Sequence, residues 1–331
     1  MQTRLLHATD PIHMLEAGAT LRQGGLVAMP TETVFGLAAN AQDERAVARI
    51  FSAKERPAFD PLIVHVPSLD QAECYASFDP VSHRLAKAFW PGPLTLVLER
   101  RPEGGIGDLV TSGLPTVGMR VPAKPAARAL LREAGVPLAA PSANRFGSVS
   151  PTTAAHVMEE LGGRIDAILD AGPCECGIES TVVKVENGLP VILRLGALSV
   201  AAIARELVLQ EAAIEVRQGS SRPGEAMPAP GMTDRHYAPR TKLRLVGESE
   251  LSHRPAARVG LLAFSEPHPG FHAMEVLSES GDSVEAAANL FADLRLLDSA
   301  GCSEIWAEFA PVNAPGGLGA AINDRLKRAA G

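Results

Sequence analysis

Short apolar runs of strand length recur along the first two thirds of the chain, separated by segments whose apolar positions fall three and four residues apart. The runs at 26–29, 61–66, 94–98, 116–121, 136–140, 167–169, 181–185 and 191–194 are stopped by Pro, Gly or polar clusters and predict strands. Between them a helical period covers 12–24, 43–54, 80–89 and 125–134, and another helix opens near Ser199. The segment that follows the strand at 26–29 reads as a turn. From 211 to 241 no period survives, because Pro, Gly, Ser and Arg crowd the stretch, and this reads as a linker. Strands at 243–246, 259–264 and 304–309, with helices at 283–299 and 318–329, then suffice for a second, smaller α/β domain. The expected organisation is therefore a mixed α/β domain over 1–210, a linker over 211–241 and a small α/β domain over 242–331.

Composition narrows the function classes. Hydrophobic residues make up 46% and charged residues 21%, as in ordinary folded proteins, but aromatics only 4%. The cores must be aliphatic, and the stacking platforms of a single-strand nucleic-acid binder are missing. A formal net charge of -7 argues against tight, sequence-blind binding to a phosphate backbone. The four cysteines, Cys74, Cys174, Cys176 and Cys302, are too few and too irregular for a disulfide framework. Cys174 and Cys176 lack the second Cys/His pair that a finger-like metal site needs, so free thiols are expected. The N-terminal stretch has no apolar core of signal-peptide length, and no run approaches the ~20 residues of a membrane span, which points to the cytoplasm.

Six polar clusters fall where predicted strands begin or end, the edge at which open α/β sheets bind ligands. Pro30-Thr-Glu-Thr33-Val-Phe-Gly36 puts two hydroxyls and a carboxylate directly after a strand, although the same spacing suits a helix cap. Lys54-Glu-Arg56-Pro57, followed by Asp60-Pro61-Leu-Ile-Val-His65, sets two cations before a strand. They read as an exposed phosphate clamp or as a helix end facing its dipole, and His65 as a ligand group or a satisfied buried imidazole. Along Thr116-Val-Gly-Met-Arg120-Val-Pro122 the period of two turns Arg120 to a wet face or a ligand. Ala139-Ala140-Pro141-Ser142-Ala143-Asn144, running through Gly147 to Ser150-Pro151-Thr152, offers close backbone approach with hydroxyl and amide groups, or a turn before an N-capped helix. Gly177-Ile-Glu-Ser180-Thr181 and Ile192-Leu-Arg194-Leu-Gly196 add hydroxyls and another cation. No GxxxxGK[ST] loop or complete dinucleotide fingerprint occurs, nor a Gly-x-Ser-x-Gly elbow or a Cys/His nucleophile pair.

Taken in order, PTETVFGL, KERPAFDPLIVHV, PGPLTLVL, TVGMRVP, PSANRFGSVSPT and GIESTVV resemble the YrdC-like family of threonylcarbamoyl-AMP synthases. The linker segment PGMTDRHYAP, residues 230–239, resembles the signature of its long form, which carries a C-terminal extension domain. The sequence departs from the family pattern at Phe35, Asp60, Phe146 and Leu195, where Tyr, Asn, Ser and Pro are usual. The fold this resemblance implies is a YrdC-like twisted mixed sheet with flanking helices, plus a smaller Rossmann-like α/β domain.

The activity it implies is that of a nucleotidyltransferase. L-threonine, bicarbonate and ATP give threonylcarbamoyl-AMP and pyrophosphate, for the threonylcarbamoyl (t6A) modification of tRNA. Matching positions imply Lys54 and Arg56 as the catalytic cations. For ATP they imply the same two residues with Asp60, Thr116, Ser142, Ser150, Arg194 and Tyr237; for L-threonine, Thr33, His65, Arg120, Ala140 and Ser180. Mg2+ would arrive with ATP rather than on protein ligands. The implied partners are the downstream tRNA threonylcarbamoyl-transfer machinery, with a weak contact to tRNA itself. The linker, through His236 and Tyr237, is expected to fold over the loaded site, stiffened by Pro228, Pro230 and Pro239 and turned at Gly231. Two rival readings are a double-stranded RNA binder and a carbamoyl-transfer enzyme of the hydrogenase-maturation type, the latter without its usual companion modules.

Overall fold

The computed structural model describes residues 2–57, 60–217, 236–251, 255, 258–314 and 316–331. Among them twelve strands form a large sheet. In chain order these are β1 (Arg4–His7), β2 (Val27–Met29), β3 (Gly36–Asn40), β4 (Ile63–His65), β5 (Ala76–Ser77) and β6 (Leu94–Arg100). There follow β7 (Thr116–Arg120), β8 (Leu138–Ala139), β9 (Ala167–Asp170), β10 (Thr181–Glu186), β11 (Leu189–Arg194) and β12 (Glu215–Val216). Across the sheet the order is β1-β9-β2-β3-β8-β4-β7-β6-β10-β11-β12, with β5 beside β6, and parallel and antiparallel ladders are mixed.

Side-chain alternation divides this sheet into two unlike faces. Val64 of β4, Met119 of β7, Leu94 and Leu96 of β6, Val183 of β10 and Ile192 of β11 all turn into one aliphatic core. On the opposite face, Leu6, Val27, Met29, Ala38 and Leu138 of the first strands pack with Leu21 of helix Pro11–Arg22 and Leu130 and Leu131 of helix Pro125–Ala134. From β4 to β11 that same face mixes polar groups with a small apolar cluster of Val97, Val182, Val191 and Leu193. His65 stands opposite Arg120, and Val182 opposite both Thr95 and Arg194. Directly opposed residues share a face, so the period that builds the core on one side aims His65, Arg120 and Thr95 at the other, and the register shift between Val182 and Val183 turns Arg194, two residues after the core Ile192, to that face as well.

The predicted helices appear within a residue or two of their expected bounds, and all but Pro125–Ala134 and Gly319–Ala330 are opened by a short polar cap. Asp43 accepts from the amides of Arg45 and Ala46 to start Glu44–Lys54, and Asp79, Ser199 and Asp282 do the same for three others. Four strands of this sheet, β1, β3, β5 and β12, lie outside the sequence reading, the last of them within the stretch read as linker. Gly-Leu-Ala-Ala-Asn of β3 has no β-branched residue, and becomes a strand because it sits between β2 and β8. β1 pairs in parallel with β9, some 160 residues away, a contact that local pattern does not carry.

A second sheet joins β13 (Leu243–Val246), β14 (Val259–Ala263), β15 (Ala273–Val276) and β16 (Glu304–Glu308) in the order β13-β16-β14-β15, every pair parallel. Helices Ser283–Ser299 and Gly319–Ala330 pack on it through Leu290, Phe291 and Ile322. Val34, Val149 and Ile178 of the large unit are buried in this same cluster, as is Tyr237. All four cysteines are free. Of the linker, residues 218–235 lie outside the described residues, and with them Pro228, Pro230 and Gly231.

Candidate active site

The polar half of the sheet opens into a cleft of about 550 Å³. Nine of the expected site residues line it: Thr33, Arg56, His65, Arg120, Ala140, Ser142, Ser180, Arg194 and Tyr237. Thr33 follows β2, where its hydroxyl meets that of Thr31 at 2.8 Å. His65 and Arg120 end neighbouring strands, and Ser180 stands just before β10 with its hydroxyl 2.7 Å from that of Thr95. Arg194 ends β11 and donates to the Ser180 carbonyl (2.9 Å) and hydroxyl (3.2 Å).

The charged groups come in pairs, both members out of water. Arg120 Nη2 is 2.7 Å from Glu32 Oε1, and Arg56 Nη2 is 2.8 Å from Asp60 Oδ2. Burial alone would raise the Glu32 carboxyl, but the charge and hydrogen bond of Arg120 outweigh it and hold it below its ordinary value. Burial, with Arg120 alongside, drops His65 to about 3, so its imidazole is neutral. His236 is likewise neutral, driven well below its ordinary value by burial and then by Arg56, Lys54 and Arg194. Its Nδ1, like Arg56 Nε, is buried without a hydrogen-bond partner among the described residues. Buried polar atoms are normally satisfied, so orphans on a cleft wall mark where a ligand's polar atoms belong.

The remaining expected residues stand behind or beyond this cleft. Lys54 ends its helix fully buried, its ammonium donating to the carbonyls of Ser142 and Asn144, and burial followed by the Arg56 charge takes it well below its ordinary value. It anchors the 142–144 loop. Ser150 donates to Glu179 Oε1 at 2.6 Å. Asp60 serves as the counter-ion of Arg56, so it is not a bare acid facing phosphate. Thr116 lies at the other end of β7 from Arg120, where it lines a separate hollow of about 270 Å³ with Pro61, Leu62 and Val97. Arg56 is not an exposed clamp: its side chain is 4% accessible, because the i,i+4 pair with Asp60 and the carbonyls of Asp60 and Pro61 draw it inward.

His236 lines the cleft beside Tyr237, as the linker reading expected; Glu32 and Glu179 belong to the site too, but residue type alone did not single them out as ligand groups. Each acid stands inside a quoted motif; its role becomes visible only when its cation, Arg120 or Arg325, is placed beside it. Arg325 had no signal at all, since it lies in an ordinary amphipathic helix.

Residues 19–196 match the Sua5, YciO and YrdC family, described as telomere recombination. Residues 198–331 match a family described as the threonylcarbamoyl-AMP synthase C-terminal domain. The threonylcarbamoyl-AMP synthase of Bacillus subtilis (strain 168) is 40% identical over 338 residues, which cover 98% of this chain and 95% of the relative. That of Pyrococcus abyssi (strain GE5 / Orsay) is 41% identical over 324 residues, with 95% of this chain and 93% of the relative covered. The crystal structure of P. abyssi Sua5 complexed with L-threonine aligns at a TM-score of 0.89 and 36% identity, over 100% of this chain and 98% of that one.

Proposed function

The chain belongs to the Sua5, YciO and YrdC family in its long form, and from that premise we propose that it is a threonylcarbamoyl-AMP synthase acting as a nucleotidyltransferase. The amine of L-threonine attacks CO₂ derived from bicarbonate, losing a proton and forming a carbamate. A carbamate oxygen then attacks the α-phosphorus of ATP, and the bond to pyrophosphate breaks. Neither step asks for a protein nucleophile, so alignment and charge stabilisation supply the rate.

The observation that carries this reading is the convergence of Arg56, Arg120 and Arg194 on a cleft whose two histidines, His65 and His236, are neutral. The threonine carboxylate takes a place beside Arg120, which Glu32 already holds in orientation, and Thr33, His65, Ala140 and Ser180 surround its hydroxyl and nitrogen. ATP phosphates meet Arg56 Nε, His236 Nδ1, Ser142 and Arg194, with Lys54, Asp60 and Ser150 as the supporting layer. Gly118 has no side chain between Arg120 and Thr116 on the same face of β7. The nucleoside end can therefore run along the strand to the hollow at Pro61 and Thr116. In this reading Mg2+ enters on the phosphates of ATP, as that hard cation prefers oxygen ligands.

The division at 1–210, 211–241 and 242–331 belongs to this proposal, with Tyr237 and its segment as the wall that keeps water from the adenylate. No helix among the described residues is long and apolar enough to cross a membrane. We place the reaction in the cytoplasm, feeding the tRNA threonylcarbamoyl-transfer machinery, with tRNA touching this enzyme only weakly. Pyrophosphate release is the test: it should require ATP, threonine and bicarbonate together. Release independent of threonine, or RNA retention without release, would overturn the reading.

A further inference from the structure

The helix Gly319–Ala330 of the small unit sends one guanidinium into the wall of the cleft. Arg325 is fully buried, its side chain 0% accessible. Its Nε donates to Glu179 Oε2 at 3.2 Å while Ser150 donates to the other oxygen of that carboxylate at 2.6 Å. Its Nη1 donates to the Leu195 carbonyl, next to Arg194, and its Cζ lies 5.5 Å from the ring centre of Tyr237. Nη2 is buried without a hydrogen-bond partner. One side chain thus touches three separate wall segments, at 179–180, 194–195 and 236–237. Tyr237 needs holding: its φ of 64° is a left-handed conformation uncommon for a residue with a side chain, and it persists only where packing fixes it. Phe291 stacks on it at 5.4 Å, and Arg325 approaches it as well. Three residues further along the same helix, the Arg328 carbonyl accepts from the His236 amide at 3.1 Å.

We propose that Arg325 is a positioning residue for adenylate formation, through which the small domain holds the Glu179–Ser180, Arg194–Leu195 and Tyr237 walls at the ATP end of the cleft. The inference rests on the reading of that cleft as the adenylation site. It gives the C-terminal domain a part in the reaction: the large unit by itself presents Ser180, Arg194 and Ser150, and their mutual placement depends on a cation from another domain. The ion pair alone is a weak reason for keeping such a residue, since buried pairs often stabilise no better than apolar groups of the same volume. What distinguishes Arg325 is that, besides its helix neighbour Asp324 at 3.1 Å, its other contacts fall on cleft backbone and on Tyr237.

The wild-type chain is assayed first for threonine-dependent pyrophosphate release; its absence would sink the reading of the cleft, whatever the variants do. With release established, two variants are compared well below their melting temperatures. Arg325→Met with Glu179→Gln leaves neither charge buried alone, so its melting temperature should stay near that of the wild type. Arg325→Lys keeps a charge beside Glu179 but loses the reach to Leu195 and Tyr237. Both should raise the KM for ATP by roughly tenfold or more, as small displacements of aligned groups do, with a smaller change in the KM for threonine. A wild-type KM for ATP in either variant overturns the proposal. So does a loss of activity that returns in full wherever the melting temperature returns, because that pattern is structural.

Discussion

Arg56 and Asp60 meet with both side chains out of water, so removing one strands the other. Arg56→Ala should therefore lower stability by about 3–5 kcal/mol as well as abolish adenylate formation. Denaturant unfolding alongside pyrophosphate release checks this, and an active variant that unfolds at the wild-type midpoint would contradict it. The same logic governs Arg120, whose partner is Glu32. Arg120→Ala combined with Glu32→Gln avoids an orphaned charge and isolates recognition. Threonine affinity should drop roughly 30- to several-thousand-fold while ATP affinity changes far less, as titration calorimetry with each ligand will read. The buried histidines make stability depend on pH. His65 titrates at about 3 and His156 at about 4, against an ordinary value of 6.5, both chiefly through burial. The unfolded chain takes up these protons near 6.5 and the folded chain does not, so the stabilisation is full above that value and is lost as pH falls toward 4. The urea midpoint should fall between pH 7 and pH 5, and His65→Gln should flatten the slope. Residue type announced cations and hydroxyls; it did not announce which carboxylate each cation would hold.

At the scale of elements, the end of β11 and the loop before β10 approach each other closely. A Cβ on Gly196 would lie 2.4 Å from the Glu179 carbonyl oxygen and 2.4 Å from the Thr181 nitrogen. Gly196→Ala must push Arg194 and Ser180 apart, since both contacts are backbone and neither has a rotamer to yield. Pyrophosphate release by this variant should fall sharply while the far end of the sheet, at β1 and β9, keeps its slow amide exchange; unchanged activity would refute the close fit. Helices were legible because caps and the 3.6 period are local, as at Asp43 and Asp282. Among the strands, β3 and β15 were hidden, because Gly-Leu-Ala-Ala-Asn and Ala-Met-Glu-Val acquire extended backbone from their neighbours rather than from their own side chains.

For the whole molecule, the two units share one apolar cluster. Val34, Val149 and Ile178 of the large unit are covered with the core of the small one, and Glu179 finds its cation there. A chain ending after residue 210 should bind ATP poorly, make little product and expose apolar surface to a hydrophobic dye; full activity of that fragment would show the small domain to be dispensable. The sequence by itself determined the alternation of strands and helices, the sequence of polar clusters at strand ends and the period of two that aims Arg120 away from the core. These are properties of neighbours in the chain, and they carry the family resemblance. Tertiary structure alone decided that Arg56 is buried on Asp60, that Lys54 braces a loop from behind and that Thr116 stands in a separate hollow. It also decided that Arg325 reaches Glu179, 146 residues earlier in the chain. Desolvation and charge pairing are set by what surrounds a group in three dimensions, and a one-dimensional pattern carries no measure of that surrounding.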